Sequence, residues 1–347
     1  MNGGGLSLKL EHQGGTRMKM IKWGVLGTAY IFERDTAEGM RQAQNCQLYA
    51  IAGRSLEKAQ AFQKKYGFEK AYGSYEELLA DPEVEAVYIP MPNTLHKEWT
   101  LRALRAKKHV LCEKPLAPTA RDAAEMFAAA EENGVWLMEA FAYQHSPFVA
   151  AVRQELEAGT IGQVRYMEAA LITSDYDLSN IRMRRETLGG SVYDLGVYSC
   201  SLILRMLGME PETVQAVSSF SPEHIDLFTT VLMDFPGQVK AQFNCGMVLA
   251  TEKNSALDRF QIHGTNGSIE AVEFGFNVPG LLSYRVRTFE GLDEVRTVEV
   301  PHNYRLEVEQ LGRCIEGGET PLVTKELSMS VARTIDRVLA QIGYGSK

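Results

Sequence analysis

No apolar run in the sequence approaches the roughly 18 to 20 residues that a membrane-spanning helix needs, which excludes a helical anchor and points to a soluble, globular chain. Cysteine is scarce. Its five residues, Cys46, Cys112, Cys200, Cys245 and Cys314, are odd in number and widely spread. None forms a C-x-x-C pair, so neither a disulfide framework nor a metal site is expected, and a reducing cytoplasm is the simplest setting. An excess of positive charge is also missing. With 36 Lys and Arg against 44 Asp and Glu the net charge is -8, which disfavours a nucleic-acid partner. The first 19 residues, "MNGGGLSLKLEHQGGTRMK", have no apolar core of a secretory signal and are expected to be a flexible leader ahead of a start at Met18 or Met20. Internal repeats and low-complexity tracts are absent from the rest.

A chain of 347 residues with 45% hydrophobic and 23% charged residues suits two domains with ordinary cores. Up to about residue 140, strand-like and helix-like segments alternate. "IKWGVLG", "CQLYAIAGRS", "EAVYIPMPN", "HVLCEKP" and "VWLMEAF" read as strands. "FERDTAEGMRQA", "SLEKAQAFQKKYG", "SYEELLADPEV", "HKEWTLRALRAKK" and "TARDAAEMFAAAEENG" read as helices, the last with Thr119 as N-cap. Strands separated by such helices imply right-handed crossovers and a doubly wound parallel sheet.

The second half changes character. A helix at "PFVAAVRQELEAG" leads into "GQVRYMEAALIT", "VQAVSSFS", "DLFTTVLMDF", "QVKAQFNCGM", "RFQIHGT", "GSIEAVEF" and "YRVRTFE", joined by short turn signals. These predict a large, mostly antiparallel open sheet. Helices near 187 to 207, 304 to 317 and the C-terminus would pack on one face of it or return to the first domain. The expected division is a leader over 1–19, a doubly wound α/β domain over 20–142, and a second α/β domain built on the open sheet over 143–347.

The end of the first strand carries the first chemical signal. In "WGVLGTAYIFERD" the chain runs into Gly27 and Ala29 in the register of G-x-G-x-x-G, where small residues let backbone N–H groups approach a pyrophosphate at a helix N-terminus. Only Gly27 is a glycine in that register, and Phe32 stands where a small residue is usual. The turn Gly27, Thr28, Ala29, Tyr30, Ile31 is therefore the candidate phosphate site. The second strand ends in "AIAGRS" and lacks the acidic residue that binds a ribose 2'-hydroxyl. Arg54 and Ser55 there suit a 2'-phosphate, favouring NADP(H) with NAD(H) as the alternative. A solvated loop arginine is the other reading of Arg54. Glu113 and Lys114 close "HVLC" at the carboxyl end of a strand, where ligands bind in open α/β sheets, and Pro115 then fixes the backbone.

Four elements occur in order: "PNTLH" at Pro92 to His96, E-K-P at Glu113 to Pro115, "EAFAY" at Glu139 to Tyr143, and "GGSVYDLGVYS" at Gly189 to Ser199. Together they resemble the glucose-fructose oxidoreductase, inositol dehydrogenase and MocA family over nearly the whole chain from 20 to 340. The resemblance implies a Rossmann domain followed by an α/β domain whose open sheet mediates a homodimer or homotetramer. It implies that Lys114 is the catalytic lysine, Asp194 a substrate-binding aspartate and Tyr198 the proton carrier, with Tyr198 pointing to the sugar oxidoreductase and dihydrodiol dehydrogenase branches. Asp194 and Tyr198 lie four residues apart and would share a helix face.

The expected reaction is hydride transfer between a nicotinamide and a carbinol or carbonyl carbon of a polyhydroxylated small molecule, with Lys114 lowering the pKa of Tyr198 and orienting it. Pro92, Asn93 and His96 would line the nicotinamide side, and Tyr143 and one of Arg182, Arg184 and Arg185 would meet substrate. Many members of the family have "EAFMYRFHP" where this chain has "EAFAYQHSP", which replaces an arginine by Gln144 and moves histidine to His145. Two other readings compete: a dinucleotide-binding sensor without turnover, and an NAD-dependent glycosidase working by redox-assisted elimination.

Overall fold

The computed structural model describes residues 19–174, 179–248 and 256–345. All but the last residue of the expected leader lies outside them. β1 (Ile21–Leu26), β2 (Cys46–Ala52), β3 (Lys70–Tyr72), β4 (Ala86–Ile89), β5 (His109–Glu113) and β6 (Leu137–Ala140) form one sheet in the order β3-β2-β1-β4-β5-β6. Every neighbouring pair is parallel. β4 and β6 are buried at every position, as strands covered by helices on both faces must be. The strand order reverses between β1 and β4, and that reversal opens a crevice above the carboxyl ends of the strands.

Local chemistry sets the crossover helices. Ser55 caps α2 (Leu56–Tyr66), Ser74 caps α3 (Tyr75–Ala80), and Thr119 caps α5 (Ala120–Asn133), each side-chain oxygen accepting a backbone N–H three residues on. Gly67 and Gly134 end α2 and α5 at φ of 82° and 67°, a conformation that costs glycine least. Phe32 is accommodated in two ways. The stretch after the first turn is a π-helical segment, Phe32–Thr36, which runs into α1 (Ala37–Gln42). The Phe32 ring is fully buried against Phe62, Tyr66, Phe68 and Tyr88, with ring centroids 5.2 to 6.5 Å away.

The second sheet has eight strands: β7 (Val164–Ile172), β8 (Thr213–Phe220), β9 (Asp226–Phe235), β10 (Val239–Gly246), β11 (Leu257–Gly264), β12 (Gly267–Glu273), β13 (Gly280–Thr288) and β14 (Asp293–Val300). They lie in the order β14-β13-β12-β11-β7-β10-β9-β8. Pairing is antiparallel except between β7 and β10. The sheet is therefore mixed, and β14, whose sequence "DEVRTVEV" is mostly polar, extends it beyond the seven expected strands.

α6 (Pro147–Glu157), α7 (Val197–Leu207) and α9 (Lys325–Ile342) pack on this sheet. α9 also meets α5, and α8 (Asn303–Ile315) packs on α1, so both C-terminal helices tie the second lobe to the first. The opposite face of the sheet is open, exposing Val217, Leu232 and Val295. Among the described residues no helix is long and apolar enough to cross a membrane.

Candidate active site

Four strand ends and the start of α7 meet in one cleft of about 810 Å³. β1 delivers the turn Gly27 to Ile31, β2 delivers Arg54 and Ser55, the segment after β4 delivers Pro92 and Asn93, and β5 delivers Glu113 and Lys114. The facing wall carries Arg182, Leu188, Gly189, Asp194 and Tyr198. Gly27 has φ of 131°, which disfavours any side chain, and its N–H continues the sheet by donating to the Ala52 carbonyl at 3.0 Å. That leaves the turn from Thr28 to Ile31 facing the cleft. Asn93 ties the walls together, its amide donating to the Leu188 carbonyl at 3.0 Å.

Lys114 crosses from the first lobe to the second. Its Nζ donates to Asp194 Oδ1 at 2.9 Å and to the Asp194 backbone carbonyl at 2.8 Å. Arg182 Nε donates to the other carboxylate oxygen, Oδ2, at 2.6 Å. Burial opposes the charge on Asp194, but Lys114 and Arg182 outweigh it and hold the carboxyl well below the usual range. Burial likewise works against the ammonium of Lys114, and Asp194, then Tyr198, reverse the balance so that its pKa lies above the ordinary value. The pair is ionised across the neutral range.

Asp194 belongs to a second π-helical segment, Val192–Gly196, which widens the turn before α7. Gly190 sets the approach: its φ is 120°, and a Cβ there would stand 1.9 Å from the buried carboxylate of Asp226. Asp226 Oδ2 accepts from Ser191 Oγ at 2.8 Å and from the Val192 N–H at 2.7 Å, so it caps the segment that carries Asp194 and Tyr198.

Tyr198 presents its ring, not its hydroxyl, to Lys114, whose Nζ lies 4.8 Å from the ring centroid. Burial raises the pKa of the phenol, and the lowering effect of Lys114 does not overcome it. The phenol is thus neutral at rest, and Lys114 supplies a field without orienting the hydroxyl. The group bonded to the Tyr198 oxygen is Asn277, whose Nδ2 donates at 3.2 Å. Asn277 comes from the loop between β12 and β13, in a stretch "FGFNVPG" that carries no motif, and sequence reasoning missed it.

Two expected wall residues lie behind the wall. His96 is fully buried and bridges the carbonyls of Met91 and Pro115 at 2.7 and 2.8 Å, so it braces the segments bearing Pro92 and Lys114. Tyr143 is fully buried too. Its hydroxyl donates to the Tyr198 carbonyl at 3.1 Å and lies 2.7 Å from Ser201 Oγ, which supports α7. Gln144, in the position expected for an arginine, donates to that same hydroxyl at 2.6 Å, and Ser146 caps α6. His145 is wholly desolvated, which takes its pKa down to about 3 and makes it a neutral packing group. Of the three arginines, Arg182 alone lines the cleft.

A dinucleotide fits these residues. The cleft stands at the sheet's reversal point, the Gly27 turn leaves room for a backbone approach, and Arg54 and Lys58 border the same space without a carboxylate at the end of β2. Among the described residues no cluster of His, Cys, Asp and Glu suits a metal ion.

Comparison with known proteins agrees with this architecture. Residues 21–141 match the oxidoreductase family with an NAD-binding Rossmann fold, and residues 149–270 match the GFO/IDH/MocA C-terminal domain. The chain is 35% identical to the D-xylose 1-dehydrogenase (NADP(+)) 2 of Haloferax volcanii, covering 94% of this chain and 98% of the relative. It is 30% identical to the trans-1,2-dihydrobenzene-1,2-diol dehydrogenase of Xenopus laevis, covering 93% and 98%. Among solved structures it superposes on KijD10, a 3-ketoreductase of Actinomadura kijaniata in complex with NADP and TDP-benzene, with a TM-score of 0.85, 28% identity and coverage of 93% and 98%. With a parallel Rossmann sheet, a mixed sheet beside it and full-length relatives at 30% and 35% identity, the chain belongs to the GFO/IDH/MocA family of oxidoreductases.

Proposed function

We propose that the protein is an NADP(H)-dependent oxidoreductase that moves a hydride between the nicotinamide and a carbinol or carbonyl carbon of a sugar, polyol or trans-diol. The observation that carries this reading is the meeting of Lys114 from β5 with Asp194 and Tyr198 from the second lobe, in the cleft that the Gly27 turn and Arg54 also border. The Haloferax relative, a D-xylose dehydrogenase using NADP(+), and the dihydrodiol dehydrogenase of Xenopus support the substrate class.

The nicotinamide, when bound, would supply or accept the hydride. Gly27, Thr28, Ala29, Tyr30 and Ile31 would hold the pyrophosphate, Arg54 and Ser55 the 2'-phosphate, and Pro92, Asn93 and Glu113 would flank the rest of the cofactor. On reduction Tyr198, a neutral phenol at rest, gives its proton to the carbonyl oxygen; on oxidation it takes the hydroxyl proton of the carbinol from its deprotonated form, after its own proton has been released. Lys114 keeps a positive charge beside the ring and favours the phenolate that forms. Asp194 spends one site of each oxygen on Lys114 and Arg182, and a carboxylate has about four acceptor sites, so it can still receive a substrate hydroxyl.

The open face of the second sheet is the surface through which we propose that copies of the chain assemble, and the five buried, unpaired cysteines suit a reducing cytoplasm. The test of function is spectrophotometric turnover of D-xylose, other aldoses, polyols and trans-diols with NADP(+) and with NAD(+). Reduction of NADP(+) by at least one member supports the reading. Copurification of tightly held NAD with no net cofactor change during turnover would replace it by redox-assisted elimination.

A further inference from the structure

The lysine that the chemistry assigns to Tyr198 does not hold its hydroxyl. Both Nζ bonds of Lys114 go to Asp194, and the phenol oxygen receives its hydrogen bond from Asn277 Nδ2 at 3.2 Å. Asn277 lies 79 residues beyond Tyr198, on the loop between β12 and β13, and its other amide atom, Oδ1, is buried without a partner among the described residues. Phe276, the residue before it, is buried with its ring 5.4 Å from the Tyr198 ring and 4.9 Å from that of Tyr143, which fixes the loop against the phenol. Asn303, the first residue of α8, directs Nδ2 at the Phe276 carbonyl at 3.5 Å and braces the loop.

We propose that Asn277 is a catalytic residue of this site, donating an amide N–H to the oxygen of Tyr198 so that negative charge developing on that oxygen is stabilised while the phenol proton stays directed at the substrate. The proposal rests on the role given above to Tyr198. A phenol oxygen has one O–H and two lone pairs. An N–H donor on one lone pair leaves the O–H free for the substrate oxygen and strengthens when the oxygen becomes anionic. In reduction the O–H bond of Tyr198 breaks, its proton forms the new O–H bond of the product, and the electron pair left on the phenolate faces Asn277 and the field of Lys114. In oxidation the same proton returns.

Burial acts most on the titration of Tyr198, and the groups that face it are Lys114 and Glu113 from the end of β5, Asp194 from the segment leading into α7, Tyr143 with its ring 5.7 Å away, Tyr304 through its charge, and Asn277. Donation by Asn277 favours the phenolate, so its loss moves the titration of Tyr198 upward whichever direction of reaction is followed.

The experiment is the pH dependence of kcat/KM with NADP(+) and a substrate turned over by the wild-type enzyme, compared for Asn277→Ala, Asn277→Asp and Tyr198→Phe. Thermal melting and NADPH binding verify the fold of each. In Asn277→Ala the limb belonging to the phenol should rise by about one pH unit with about a tenfold loss in kcat, in keeping with one hydrogen bond to a charged group. In the isosteric Asn277→Asp it should rise further, because a carboxylate repels the phenolate. An unshifted or downward-shifted limb in both folded variants, with Tyr198→Phe inactive, would overturn the role of Asn277 alone. Wild-type turnover by Tyr198→Phe would overturn the assignment of Tyr198 and this inference with it.

Discussion

Lys114 reaches Asp194 twice, through the carboxylate at 2.9 Å and through the backbone carbonyl at 2.8 Å. One ammonium thus fixes both the side chain and the helix start of the opposite lobe. Asp194 is in turn shared with Arg182, so the cleft contains a carboxylate between two cations, not an isolated ion pair. Both lobes are required to bring Lys114, Asp194 and Tyr198 together.

Replacing Asp194 by Asn keeps the shape and loses the charge. It leaves Lys114 without its largest stabilising charge and removes an acceptor for a substrate hydroxyl. Steady-state kinetics should show kcat/KM falling by roughly a hundredfold, consistent with loss of a charged hydrogen bond, while NADPH affinity stays within about twofold of wild type. An unchanged kcat/KM would remove Asp194 from substrate binding.

In the proposed reading Arg54 is the residue that distinguishes the two nicotinamide cofactors. It borders the cleft at the end of β2, where no carboxylate stands to bind a 2'-hydroxyl. Fluorescence titration of Arg54→Ala should show NADPH binding weakened by about 10- to 100-fold, the range of one charged contact, with NADH binding little altered. Equal losses for both cofactors would contradict a 2'-phosphate contact.

Glu139 gives stability a pH dependence. It is buried at the end of β6, accepts the Leu116 N–H at 2.9 Å, and burial pushes its pKa up to about 7. Its folded pKa lies above the unfolded value, so the folded state holds the proton more tightly. The stability this contributes is present below the unfolded pKa and is lost as pH rises toward about 7. Glu139→Gln keeps the acceptor and has no proton to lose. Melting curves should show the variant gaining on wild type between about pH 5 and pH 8, by on the order of 3 kcal/mol at most. A difference that does not change with pH would contradict the buried, titrating carboxyl.

The proposed assembly surface is tested at Leu232, half exposed in the middle of β9 on the open face of the second sheet. Light scattering should find the wild-type chain as a dimer or tetramer and Leu232→Glu shifted toward monomer, with the melting temperature of the lobe little changed. A wild-type monomer would contradict assembly through this sheet.

Strands and the Thr119 cap were legible in the sequence because they are local. The apolar runs ending in Gly27, Arg54 and Lys114 are short-range signals, and Thr119 announces the helix that follows it, while the caps at Ser55 and Ser74 are seen in the structure. β3, only three residues long, and β14, polar along most of its length, offer no apolar pattern and emerge only from pairing with their neighbours. The two π-helical segments have no sequence period of their own.

In the site, motif and position together indicated Lys114, Asp194 and Tyr198. His96 and Tyr143 sit in the two neighbouring motifs, "PNTLH" and "EAFAY", but face inward, because a motif records sequence spacing and not side-chain direction. Asn277 could not be found this way, since its contact with Tyr198 spans 79 residues and depends on how the β12–β13 loop folds over α7.

The most direct test is turnover by Lys114→Met beside wild type, with NADP(+) and a panel of sugars and vicinal diols, each protein first shown to bind NADPH by fluorescence. Wild type should reduce NADP(+) with at least one substrate, and the variant should bind NADPH yet lose turnover by about a thousandfold, within the range attributed to general acid and base groups. A Lys114→Met variant that turns over at the wild-type rate would contradict the role of Lys114 and the mechanism built on it.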